Sequence, residues 1–236
     1  MNSEKVLPYN YRLRYVAAIF ILYILTSIPL YLHTQENLYI NMIWNVFLAF
    51  LPLLFANWLL HIHIKWGWIP KGILGFLWIV FFPNSPYMIT DFIHISGYSF
   101  YLNREEYNQL ILSTNMTLWI RIVYIGVGVL MGILSGLLSL RMIHQMLRQR
   151  HSKVSSALIL TGVFLLTGYG IYLGRFLRLN SWNIIHPRQI LLKIYSSTSV
   201  FSIKFTILYA FFVGVIYLIF CIFCPILELK WNANNR

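Results

Sequence analysis

The chain has 236 residues, of which 59% are hydrophobic and only 10% charged, with 18 Lys and Arg against 6 Asp and Glu and a formal net charge of +12. A soluble domain carries roughly a quarter charged residues, so this composition excludes an ordinary water-soluble enzyme or binding module. Several apolar runs approach the ~20 residues with which a helix crosses ~30 Å of hydrocarbon. The sequence reads as an all-α, polytopic transmembrane helical bundle, a single integral membrane domain over residues 1–236.

Apolar runs predict helices at about 15–32, 38–60, 68–83, 116–140, 154–178 and 204–227. Lys5, Arg12 and Arg14 precede the first of them, as in a signal peptide. That run is longer than a usual signal core and ends without a small-x-small cleavage pattern, so it reads as an uncleaved first helix. Six crossings put both termini on one side. Eleven of the 18 cations fall in the cytoplasm if the N-terminus does, and the loop Arg141–Lys153 is the strongest vote for that orientation. The expected location is a bacterial cell membrane, multi-pass, with both termini cytoplasmic; the abundance of Ile, Asn, Lys and Tyr points to the bacterial source.

The third helix is short, since Trp68–Phe82 covers about 22 Å at ~1.5 Å per residue. It runs into Phe82-Pro83-Asn84-Ser85-Pro86-Tyr87-Met88-Ile89-Thr90-Asp91-Phe92-Ile93-His94, which supplies polar groups where a membrane helix would simply end. A short interfacial or re-entrant helix is expected there, capped by Asn84 or Ser85, with Pro86 in its first turn and Gly97 as its stop. On such a helix Tyr87, Asp91 and His94 share one face. Its N-terminal N–H groups are a candidate anion site.

Helix four carries Gly128, Gly132 and Gly136, and helix five Gly170 and Gly174, spacings that let membrane helices approach closely. If these two helices pack through the glycines, Arg121 and Arg178 point toward their shared seam. Arg121 sits among apolar neighbours, and Asp91 is its expected counter-charge, because Glu36, Glu105 and Glu106 lie in more polar loops. Five cations between Arg175 and Lys204 are accompanied by no acid. They serve either a specific anion or a solvated amphipathic segment, Pro187–Ser199, lying on headgroups.

Asp91 and His94 are the candidate catalytic residues, an acid/base pair in which the carboxylate fixes the imidazole tautomer. The plainer reading is a hydrogen bond that orients the loop. A metal site with His186 or His33 as third ligand has too weak a signature, so neither metal nor cofactor is expected. Cys221-Ile222-Phe223-Cys224 lacks a second ligand pair and reads as two buried or lipid-facing thiols. No phosphate loop, dinucleotide fingerprint or hydrolase elbow occurs.

Three stretches carry a resemblance. Trp44-Asn45-Val46-Phe47-Leu48-Ala49-Phe50-Leu51-Pro52, Phe82–Tyr87 followed by Thr90, Asp91 and His94, and Tyr172-Leu173-Gly174-Arg175-Phe176-Leu177-Arg178-Leu179-Asn180-Ser181-Trp182 resemble the bacterial membrane-protein family known as a domain of unknown function, number 1361. The resemblance implies a multi-pass membrane protein and no particular activity. The family pattern continues with Asp after Trp182; this chain has Asn183, which removes any acid role there.

The expected function is that of an integral membrane subunit or scaffold with a polar, cationic, outward-facing site for an anionic lipid or polyprenyl-phosphate. Arg121, Arg175 and Arg178 would hold the phosphate, and Asn84, Tyr87, Asn180 and Trp182 would shape the headgroup site. Lipids and a membrane protein partner are the expected partners, and nucleic acid is not. The alternatives are a membrane enzyme acting on a lipid headgroup or polyprenyl-phosphate through Asp91 and His94, and a transporter or flippase.

Overall fold

The computed structural model describes residues 9–61, 67–104, 109–179 and 187–234. In chain order the helices are α1 (Tyr9–Thr34), α2 (Asn37–His61), α3 (Trp68–Phe81), α4 (Asn84–Tyr87), a 3-10 helix (Met88–Ile95), α5 (Met116–Arg150), α6 (Lys153–Leu177), α7 (Pro187–Ser197) and α8 (Val200–Asn234). Six stretches are long and apolar enough to cross a membrane, the third being Trp68–Ile95, which joins α3 to the short helices after it. The chain is a multi-pass helical membrane protein of the expected class.

Two features depart from the sequence reading. An antiparallel hairpin of β1 (Tyr101–Arg104) and β2 (Gln109–Leu112) precedes α5. In addition, α5 continues to Arg150, ten residues past its expected end, carrying Arg141, Arg148 and Arg150 on its last three turns. An apolar window marks where hydrocarbon ends, whereas backbone hydrogen bonding continues into water.

The chain divides into two compact units. Unit one comprises residues 1–47 and 88–132, and unit two residues 48–87 and 133–236. The core of unit one is aromatic and polar together. Tyr23 stacks on Tyr124 with centroids 4.7 Å apart, and Tyr39 meets Tyr124 edge-on at 4.9 Å. The Tyr124 hydroxyl donates to the Tyr39 carbonyl at 3.1 Å and lies 2.7 Å from the Ser27 hydroxyl. Such bonds tie α1, α2 and α5 together where burial alone gives no direction, because lipid tails are as apolar as the helices. Gly128 allows this closeness: a Cβ there would lie 2.6 Å from the Tyr23 oxygen and 2.7 Å from Met42.

Unit two is built on α6 and α8. Phe176 packs edge-on against Phe201 and Phe205, and Phe205 stacks on Tyr209 at 4.4 Å. At Gly168 an added Cβ would run into the Thr206 carbonyl of α8. Ser152 caps α6, its hydroxyl accepting from the Ser155 N–H at 3.2 Å.

Candidate functional site

The two polar stretches singled out from sequence fall partly in each unit. In unit two, α3 ends by passing directly into α4. The Phe82 N–H donates to the Trp78 carbonyl at 2.8 Å, and the Asn84 side-chain amide donates to the Phe81 carbonyl at 2.9 Å, so Asn84 closes α3. The Ser85 hydroxyl donates to the Ala49 carbonyl of α2 at 2.8 Å. The expected anion site on free N–H groups is absent: α4 has four residues, and the Ser85 and Tyr87 N–H groups donate to Phe82 and Pro83 carbonyls.

α6 packs against this turn. An added Cβ would lie 2.9 Å from Pro83 at Gly170 and 3.3 Å from the Tyr87 ring at Gly174. The third sequence motif, Tyr172–Leu179, therefore lies against the second, Pro83–Tyr87. The expectation that these glycines join helices four and five gives way here: Gly170 and Gly174 face the α3–α4 turn, Gly168 faces α8, and Gly136 faces Ser85. The spacing marked close approach but carried no information about the partner.

The Arg175 guanidinium sits 4.5 Å over the Tyr87 ring, a cation–π contact that holds the charge at the end of α6. Arg178, exposed, terminates α6 in the left-handed region at φ 52°, its N–H donating to the Leu173 carbonyl. Both cations complement the negative end of the helix dipole. α7 is amphipathic, with Arg188, Lys193, Leu192 and Tyr195 exposed, and the Tyr172 hydroxyl donates to the Ser197 carbonyl at its end. Arg188, Lys193 and Lys204 are exposed, and no described carboxylate pairs with them or with Arg178. Asn180, Trp182 and His186 lie outside the described residues.

In unit one, Asp91, the single aspartate of the chain, is buried on the 3-10 helix. Its Oδ2 accepts from the Asn45 side-chain amide at 2.9 Å. His94 follows one 3-10 turn later, so the two side chains stack along one edge. His94 Nε2 is 3.9 Å from Asp91 Oδ1, the imidazole being 45% exposed. That distance is too long for a direct hydrogen bond. The continuous helix expected from Asn84 to His94 is an α-turn followed by a 3-10 helix, in which Asp91 and His94, three residues apart, lie one above the other at three residues per turn.

Arg121 is buried, but its counter-charge is Glu36, not Asp91. Both Glu36 oxygens accept from Arg121 Nη2, and the Tyr98 ring covers the guanidinium at 3.8 Å. In the sequence Glu36 is hidden among polar neighbours, Thr34, Gln35 and Asn37, which give it the look of an ordinary loop carboxylate. The signal that marks it is its place in the two-residue link between α1 and α2, where Gln35 turns the chain at φ 56°.

A family model described as "Protein of unknown function (DUF1361)" matches residues 44–216, a span that includes Asn45, Asp91, His94, Arg121, Arg175 and Arg178. No curated protein matches the chain, and no solved structure does.

Proposed function

This multi-pass membrane protein belongs to the DUF1361 family of unknown function, and from that premise we propose that it is a membrane subunit or scaffold holding an anionic lipid, or a lipid-linked phosphate, at the end of α6. The observation that carries this reading is a cationic surface without acids. Between Arg175 and Lys204 the sequence contains five Lys and Arg and no Asp or Glu. Arg175 is held on Tyr87 at one edge of this stretch, and α7 presents Arg188 and Lys193 beside exposed Leu192 and Tyr195. Guanidinium groups match phosphate geometry. A basic amphipathic helix gains both apolar burial and roughly 1 kcal/mol per cation near an anionic membrane surface. In the expected orientation, with both termini in the cytoplasm of a bacterial cell, this surface faces outward.

Native mass spectrometry and lipid extraction test the reading on gently purified wild-type protein and on an Arg175→Ala, Arg178→Ala double variant. An anionic lipid that co-purifies with wild type and is lost from the folded variant is the expected result. Equal retention by both proteins overturns it.

A second reading, a membrane enzyme working on a lipid headgroup or polyprenyl-phosphate, is supported by one observation. Asn45 fixes a buried carboxylate beside a half-exposed imidazole. Asp91 would then orient His94 once the 3.9 Å gap closes to hydrogen-bond distance, and His94 would move the proton. Asp91→Asn separates the readings: loss of a headgroup-directed activity with normal folding favours chemistry, whereas lost expression favours structure.

A further inference from the structure

In unit two, α5 leaves the hydrocarbon carrying a row of cationic side chains on one face. Residues 122–140 contain no charge, about the number that spans the hydrocarbon, and Arg141 is the first charge after them. His144 and Arg148 follow at i+3 and i+7, so the three side chains share a face. Helical side chains lean toward the N-terminus of their helix, which at this end of α5 is the membrane side; Arg148 therefore leans over His144, and His144 over Arg141. Both guanidinium groups are within electrostatic reach of the imidazole.

The imidazole in this row is fixed from behind. Its Nδ1 is 2.7 Å from the hydroxyl of Tyr217 on α8, a buried residue whose ring is tilted against that of Phe164 on α6. The buried hydroxyl needs an acceptor for its proton, and Nδ1 serves. The imidazole proton then sits on Nε2, the nitrogen turned away from Tyr217. His144 is half-buried, and its Nε2 has no partner among the described residues. Arg148 is half-buried too, and no described carboxylate pairs with it. Glu228 is the single acid in the sequence of unit two.

Depth along the helix decides what the row meets. At ~1.5 Å per residue His144 lies about 6 Å beyond Leu140, within the ~5–8 Å of headgroups on each side of the hydrocarbon, where lipid phosphates are. We propose that this row is a second phosphate site, which holds the phosphodiester of one anionic phospholipid at the end of α5. One phosphate oxygen accepts from the His144 Nε2–H and the others from the Arg148 guanidinium, whose fork matches them. Arg141 adds positive charge at the hydrocarbon edge. The site lies beside the start of α6, whereas Arg175 stands near the other end of that helix, and it uses none of the residues of the surface proposed above. In the expected orientation its lipid belongs to the inner leaflet.

The test uses the full chain carrying Arg175→Ala and Arg178→Ala, which silences the end of α6. This protein is stripped of lipid in detergent and titrated with phosphatidylglycerol under native mass spectrometry. Saturable binding of a single lipid is expected. Arg148→Ala should weaken it roughly fivefold, the effect of one cation near a membrane surface. Arg150→Ala removes the same charge two residues further on, from a different face of α5, and should change little. Tyr217→Phe keeps the ring and frees His144; it should weaken binding about two- to threefold, the effect of one modest hydrogen bond.

Equal losses in Arg148→Ala and Arg150→Ala overturn the site, because they reduce it to the diffuse attraction of any basic helix end for a membrane. An unchanged titration in Tyr217→Phe overturns the part given to His144. Displacement of the lipid by an equal concentration of glycerophosphoglycerol, which has the same head without acyl chains, would transfer the site to a soluble phosphate and overturn the lipid. Since the double variant already lacks Arg175 and Arg178, failure here and failure of the surface at the end of α6 are separate results.

Discussion

The two units handle positive charge in opposite ways. In unit one Arg121 is buried, and a carboxylate and an aromatic face meet it within the same unit. In unit two Arg178, Arg188, Lys193 and Lys204 are exposed, and among the described residues no carboxylate pairs with them. Burial explains the difference. A charge withdrawn from water and from lipid phosphates must be compensated locally, while a charge at a membrane surface has phosphates and water at hand and needs no protein partner.

The largest expected effect follows directly. Glu36→Ala leaves Arg121 uncompensated, and the ~3–5 kcal/mol of a fully buried broken pair is the upper limit, because Glu36 is partly exposed. Arg178→Ala should leave stability nearly unchanged. Equilibrium unfolding in mixed micelles checks both; equal effects would erase the distinction between the units. Asn45→Ala is next, at about 1.5–3 kcal/mol, since it removes a hydrogen bond to a buried carboxylate. A smaller loss would mean that the remaining contacts of Asp91 absorb the change.

Packing tests unit two in a different way. Gly170→Ala brings a methyl group to 2.9 Å from the Pro83 ring, which has little freedom to yield, and should cost about 1–3 kcal/mol. Gly162→Ala, on the same helix with nothing within 4 Å, should be neutral or slightly stabilising. If both behave alike, the α6 contact with the α3–α4 turn is not what holds these motifs together.

Much of this architecture is legible in the sequence, because hydropathy and helix length are local properties. Six spans, the short third helix and the polar turn after it follow from runs of apolar residues. What stayed hidden depends on pairing. The spacing of Gly128, Gly136, Gly170 and Gly174 indicates close approach, yet the partners are Tyr23, Ser85, Pro83 and Tyr87, from elements far away in the chain. Asp91 drew attention as the single aspartate beside a histidine, whereas the acid that compensates Arg121 lies 85 residues away from it in a two-residue link. An ion pair across helices leaves no periodic signal. The chemistry at the end of α6 is legible as composition alone, in cations without acids, which identifies a surface and not a reaction.

The smallest effect is also the one that bears most directly on why unit two keeps its exposed cations. Arg178 occupies φ 52°, ψ 35°, at the position where glycine usually ends a helix. A side chain there costs an L-residue roughly 1–2 kcal/mol relative to right-handed backbone, a cost glycine escapes. Arg178→Gly should therefore raise stability, by about 1 kcal/mol, and preserve the bonds from the Arg178 and Leu179 N–H groups to the Leu173 carbonyl. The charge at the C-terminal end of α6 returns about 0.3–1 kcal/mol of that cost, which leaves room for a use at the lipid surface. Under the lipid reading the same variant becomes more stable and loses part of its anionic lipid, so that the two measurements move in opposite directions. A variant that is stabilised and retains all of its lipid would leave Arg178 without a use at this surface, and the reading would then rest on Arg175 and the cations of α7.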